Sequence, residues 1–125
     1  MFSDKLKIML YVEDVDVSSK FWQAFGFEEI SREEVDGTVV VEISSGKNSG
    51  TIFVLYDIAF IQENSPEVAL NSPSIMFQSD NIEELYKNML NQNVKVGDLI
   101  ELPGGNLVFN FADLDENYYA VTSEK

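Results

Sequence analysis

The chain opens with a two-residue alternation. In residues 5–12, Ile8, Leu10 and Val12 share one side of an extended segment while Lys7, Met9 and Tyr11 share the other, which predicts a strand. The period then lengthens. Past the acidic step Glu13-Asp14, Val15, Ser19 and Trp22 return at helical spacing and predict a helix from about Asp16 to Phe25, with Asp14 or Asp16 capping its free amides. Gly26 stands just past the last turn, where glycine commonly ends helices. Three extended segments follow: Phe27–Val35, Thr38–Ser44 after the turn Asp36-Gly37, and Thr51–Ile58 after a Gly- and Ser-containing loop. Residues 59–72 are polar enough to form a linker, with room for one helical turn.

The second part of the chain repeats this order. Ser74–Ser79 predicts a strand, and Asp80 with Glu83 has capping-box spacing for a helix from about Asn81 to Asn91, striped by Ile82, Leu85 and Met89. Strands are predicted at Val94–Glu101, Leu107–Ala112 and Tyr118–Ser123, with turns at residues 103–106 and 113–117. An offset of 67 places Ile8 on Ile75, Met9 on Met76, Val15 on Ile82, Lys20 on Lys87, Phe27 on Val94 and Phe53 on Ala120. The predicted fold is α+β: one domain over residues 1–125, built of tandem βαβββ modules at 5–58 and 73–123 with the linker 59–72 between. A sheet with a single helix leaves one face bare, so two copies are expected to curve into a cup-shaped, partly open mixed sheet with helices outside.

Composition narrows the chemistry. The 125 residues contain no cysteine and no histidine. A disulfide framework, a thiolate nucleophile, a Ser-His-Asp triad and imidazole metal ligands are therefore all excluded. Asp and Glu number 22 against 8 Lys and Arg, a formal charge of −14. Such a charge repels nucleic-acid phosphates and anionic lipid, so neither is an expected partner; it favours cationic ligands or a basic protein, or simply solubility. The N-terminus has charges within its apolar stretch, and the longest apolar run, residues 51–61, is interrupted by Asp57 and too short to span a bilayer. A cytoplasmic, soluble protein is the expectation.

Residues 10–28, "LYVEDVDVSSKFWQAFGFE", resemble the opening of vicinal oxygen chelate proteins, the superfamily of glyoxalase I, extradiol dioxygenases and bleomycin-resistance proteins. Residues 111–117, "FADLDEN", resemble that family's FxDPDGN turn before the last strand, with Leu114 and Glu116 in place of Pro and Gly. The resemblance, with the duplication, covers nearly the whole chain. It implies metal ligands on the first and last strands of each half, at positions corresponding here to Lys7, Phe53, Ser74 and Ala120. An ammonium, two hydrocarbons and a neutral hydroxyl make a poor ligand set, and the neighbours Leu6, Ile8, Ile52, Val54, Ile75 and Val121 do no better. Tyr119 is a weak candidate. No metal and no other cofactor is therefore expected.

What the resemblance then implies is a metal-independent binding protein of the bleomycin-resistance type, a homodimer that sequesters a cationic or aromatic small molecule. The cup lining expected by alternation is Met9, Tyr11, Leu55, Asp57, Met76, Gln78, Tyr118 and Thr122, with Phe53, and with Glu42 and Phe109 as a corresponding pair on the middle strands. Phe53, Met76 and Phe109 have core filling as their alternative reading, and Trp22 reads as a core anchor. Asp113 and Asp115 read as turn formers, and the acidic run from Glu28 to Asp36 as a solvated edge. Two other functions stay open: a metal-free lyase or isomerase using Glu42, Asp57 or Lys7 as acid or base, and an acidic protein-interaction module.

Overall fold

Strand β1 (Leu6–Val12) follows the initial alternation, and the polar break after it starts α1 (Val15–Gln23). Asp14 caps this helix: its Oδ1 accepts the Val17 N–H at 3.1 Å. Strands β2 (Glu28–Val35) and β3 (Thr38–Ser44) form a hairpin, with Asp36 (φ 50°) and Gly37 (φ 82°) both in the left-handed region that a type I′ turn requires. Strand β4 (Thr51–Asp57) completes a sheet of order β1-β4-β3-β2, in which only the β1–β4 pairing is parallel. The acidic strand β2 is one of its two edges, as expected of a charge run that discourages further pairing.

This computed structural model describes residues 1–64 and 73–124. The chain divides into two compact units, Met1–Ser72 and Pro73–Lys125. The second contains β5 (Met76–Ser79), α3 (Ile82–Asn91), β6 (Ile100–Glu101), β7 (Leu107–Ala112) and β8 (Tyr118–Ser123). Its sheet order, β5-β8-β7-β6, and its parallel β5–β8 pairing reproduce the first unit. The fold is α+β, two βαβββ modules each with a mixed four-stranded sheet and a helix against one face.

In the first unit Trp22 inserts from α1 against the sheet, with ring centroids 5.7 Å from Phe53, 5.1 Å from Phe27 and 5.4 Å from Phe21. Leu10, Val12, Val41, Ile43, Phe53 and Leu55 are buried with it. Each such side chain contributes about 1.5–3 kcal/mol on burial. The second unit uses a ladder of rings instead. Phe111 lies 5.2 Å from Tyr119 and 6.2 Å from Phe77, and Tyr86 of α3 meets Phe109 edge-on at 5.0 Å.

Two expectations need correction and one is extended. The helical turn for which the linker has room is α2 (Ile58–Asn64), which starts at the last residue of the strand expected over Thr51–Ile58: Asp57 Oδ1 accepts the Phe60 N–H at 3.1 Å and Ile61 is buried. The rest of the expected linker, residues 65–72, lies outside the described residues. The strand expected over Val94–Glu101 is reduced to Ile100–Glu101 plus one bridge, Val96 to Phe111, because Gly97 and Asp98 are poor strand formers between them. The capping box at Asp80 is not formed either. Asn81 is the α3 N-cap, without a side-chain cap bond, and its own N–H is held by Ser79 Oγ at 3.1 Å.

The turn over residues 113–117 is built on one carboxylate. Asp113, 5% exposed, accepts from the Asp115 and Asn117 N–H groups at 2.9 Å each, the Asn117 side-chain amide at 3.2 Å and the Tyr119 hydroxyl at 2.8 Å. Its expected role as a turn former is what the structure shows. Glu116 adopts φ 60°, a conformation natural to the glycine that the resembling motif has there.

Candidate functional site

Pairing register decides which residues share a face. In the first unit Lys7, Met9 and Tyr11 pair with Ile52, Val54 and Tyr56, and Val54 in turn pairs with Glu42. Paired residues point to the same side, so these seven lie on one face, distal to α1, with Val40 continuing it along β3. Phe53 and Leu55 pair with Ile8 and Leu10 and lie on the α1 side, 3% and 0% exposed. Asp57 belongs to that same alternate set and caps α2. The expected lining residues Phe53, Leu55 and Asp57 are therefore not brought together with Met9, Tyr11 and Glu42; Ile52, Val54 and Tyr56 stand there in their place.

The second unit shows the same division. Met76, Gln78, Tyr118, Ala120 and Thr122 share the face distal to α3, together with Val108 and Asn110 of β7. Phe109 is on the opposite face, 2% exposed against Tyr86 of α3, so it does not pair in role with Glu42. Asn110 does. Of the residues with two readings, Phe53 and Phe109 fill cores while Met76 is 64% exposed.

The cause is a drifting offset. Strands β1 and β5 correspond at 67 (Met9 to Met76), but β3 and β7 correspond at 68 (Glu42 to Asn110) and β4 and β8 at 66 (Val54 to Ala120). A slip of one residue exchanges the two faces of a strand. The run "TIFVLY" of β4 offers no alternation from which its phase could be read, since apolar residues occupy both of its faces.

One charged pair stands on the distal face of the first unit. Lys7 Nζ, on β1, reaches across β4 to Glu42 Oε2 on β3 at 2.8 Å, and Ser31 Oγ of β2 donates to Glu42 Oε1 at 3.1 Å. The hydrogen bond from Lys7 holds the Glu42 carboxyl below the ordinary carboxylate range, against the opposing effect of burial and with Ser31 assisting. Glu42 in return raises Lys7 above the ordinary lysine value. Both groups stay charged through neutral pH. Beside them Tyr11 and Tyr56 are half-buried, with ring centroids 6.2 Å apart. The second unit's distal face has no such pair among the residues named on it, whose polar groups are Gln78, Asn110, Thr122 and the Tyr118 phenol; Lys95 Nζ lies 5.6 Å from the Tyr118 ring centroid.

A fold of this kind raises the question of a metal, and the donor set answers it. Lys7 is an ammonium already bonded to Glu42, its paired residue Ile52 and the adjacent Val54 are hydrocarbon, and Ala120 has no donor. Ser74 precedes β5 and is exposed. Among the described residues no three His, Cys, Asp or Glu side chains converge. These residues do not fit a divalent cation, which needs several oxygen or nitrogen ligands.

Solved structures give the fold its relatives. TnmS3, an antibiotic binding protein from Streptomyces sp. CB03234, superimposes with a TM-score of 0.80 at 17% identity, over 99% of this chain and 98% of its own. A member of the glyoxalase/bleomycin resistance protein/dioxygenase superfamily from Sphaerobacter thermophilus DSM 20745 gives 0.79 at 17% identity over 98% of both chains. The fold is that of the glyoxalase/bleomycin-resistance/dioxygenase superfamily. A bleomycin-binding protein complexed with bleomycin shares this superfamily fold with a TM-score of 0.66 at 11% identity over the whole of both chains. No family model and no curated protein sequence matches the chain. Among the described residues no helix is long and apolar enough to cross a membrane.

Proposed function

We propose that this protein binds a small aromatic, cationic molecule without a metal, as a cytoplasmic homodimer. The observation that carries the reading is the makeup of the first unit's distal face. Tyr11 and Tyr56 offer ring surface, Met9 and Val40 offer apolar contact over the buried Val54, and the Glu42 carboxylate supplies an anionic anchor, with Glu33 of β2 on the same face. Few polar groups within a mostly apolar surface is the usual construction of a small-molecule site. Aromatic faces near a carboxylate favour a cation. The exposed Met76, Gln78 and Tyr118 of the second unit's distal face are a second candidate surface of the same kind, uncharged. Proteins of this fold described as antibiotic binding or complexed with bleomycin support the class of ligand.

The acid–base alternative draws less support. A base working near neutral pH needs a lysine shifted down or a carboxylate shifted up, and the Lys7–Glu42 contact moves both groups the opposite way. Asp57, the third candidate, is engaged at the start of α2.

A thermal-shift panel in chelator-containing buffer tests the reading. Cationic aromatic compounds, bleomycin and ethidium among them, should raise the melting temperature while neutral and anionic aromatics of similar size should not. A shift from neutral or anionic compounds alone removes the cationic part of the proposal, and a shift that appears only on adding a divalent metal removes its metal independence.

A further inference from the structure

We infer that Lys7 is a built-in competitor for the ligand's cation: its ammonium occupies the Glu42 carboxylate, so that this ion pair sets the affinity and the charge selectivity of the first unit's distal face. This rests on the proposed function and adds to it the residue that tunes it. Glu42 is well placed as a charge reader. It projects from β3, an interior strand of the sheet, and its side chain is 21% exposed. Ser31 Oγ fixes one of its oxygens, which leaves the other for a cation. On the same face, Val54 stands opposite Glu42, and Met9 opposite Val54, with Tyr11 and Tyr56 one step further along β1 and β4. A cation at Glu42 therefore has the exposed Met9 and the two tyrosine rings near it, over the buried Val54, while Glu33 of β2 adds a second carboxylate to the same face, without a hydrogen bond to Lys7 among the described residues.

Lys7 is placed differently from its partner. Its side chain is 58% exposed and comes from the outer strand β1. A long, flexible stem can swing an ammonium from a carboxylate into water at small cost, because an exposed ion pair contributes little on balance. Glu42 cannot retreat in the same way, being half-buried and tied to Ser31. The pair thus behaves as a fixed anion with a displaceable cation. A ligand ammonium that takes the place of Lys7 loses whatever the Lys7–Glu42 contact contributed and meets the displaced charge nearby. Both effects lower affinity for cations and leave neutral aromatics untouched.

Lys7→Met tests this with a probe of fixed charge. Ethidium binding, followed by fluorescence, should tighten about two- to fivefold in Lys7→Met, the range that removal of an exposed ion pair allows. Glu42→Gln introduced into the Lys7→Met protein should abolish the gain, Lys7→Arg should stay near the wild-type affinity, and Lys20→Met on the exposed side of α1 should change nothing. A neutral aromatic probe should bind all of these alike. If wild type binds ethidium and Lys7→Met binds it equally or more weakly, the competitor role is wrong while the proposed function stands. Tightening of the same size in Lys20→Met also overturns it, by showing an effect of net charge alone. If neither wild type nor Lys7→Met, both folded by circular dichroism, binds ethidium or bleomycin, this inference and the proposed function fall together.

Discussion

The two units share element order and sheet topology, and they differ in nearly every device that holds those elements in place. The first is anchored by Trp22 against Phe27 and Phe53, the second by the stacked rings of Phe77, Phe111 and Tyr119 with Phe109 under α3. The α1 helix begins on an Asp14 side-chain cap and α3 begins without one. The long β2–β3 hairpin of the first unit answers to a two-residue β6 in the second, while the Asp113 turn belongs to the second unit alone. Their distal faces differ as well, one carrying the Lys7–Glu42 pair and the other amides and a phenol. Duplication conserves topology, which backbone pairing enforces, more strictly than the side chains that stabilise it.

Mutations can break this comparison at several levels. The largest effect is expected in the cores. Trp22→Ala should destabilise by about 3–5 kcal/mol in denaturant unfolding, since Trp22 is the largest of the α1 side chains buried against the sheet. Phe77→Leu in the ladder should cost only about 1–2 kcal/mol, since neighbouring rings share its packing. Equal losses would show that the two cores are built alike. Asp113→Ala should follow at about 2–3 kcal/mol, because the buried Tyr119 hydroxyl and the turn's N–H groups lose their acceptor together.

The caps come next. Asp14→Ala should cost about 1 kcal/mol and Asn81→Ala a few tenths, both measured by thermal or chemical denaturation. Glu116→Gly is expected to stabilise by about 0.5–1 kcal/mol, because φ 60° suits glycine and the exposed Lys95 contact at 3.6 Å is a minor loss.

The smallest effect is the pH dependence of the ion pair. Glu42 is lowered in the folded chain, so its contribution is present above the ordinary carboxylate range and fades as pH falls through the folded value. Lys7 is raised, so its contribution is complete below the ordinary lysine value and fades as pH rises through the folded one. The stability difference between wild type and Lys7→Met should therefore be flat from about pH 6 to 9 and shrink below about pH 4 and above about pH 11.

How much of this could be read from the sequence follows from the physics of each element. The helical period marks α1 and α3, and an acidic cap marks α1 as well, while β1, β3, β7 and β8 show by alternation and turns; the module order is legible in this way, whereas α2 and the true start of α3 are not. Met9, Tyr11, Met76 and Gln78 stand on the expected faces because alternation along β1 and β5 fixes them, and Tyr118 stands with them on β8; Glu42 stands there too, although its offset partner Phe109 does not. Phe53, Leu55, Asp57 and Phe109 stand on the opposite faces. Their placement depends on strand phase across loops of unequal length, and a single residue of slip inverts it. Tyr56 and Val54 were missed for the same reason. The Ser31–Glu42 contact depends on a bulge between Glu29 and Ser31, which no pattern in the acidic run of β2 reveals.

The four methionines allow the most direct test of where the ligand binds. Met9 and Met76 are exposed on the two distal faces, Met89 is buried on the inner side of α3 and Met1 is at the exposed terminus. With the methyl groups isotopically labelled, an NMR titration with ethidium in chelator-containing buffer should shift the Met9 resonance and leave Met89 and Met1 in place. A silent Met9 under saturating ethidium, or a Met9 shift that requires added metal, would contradict the account.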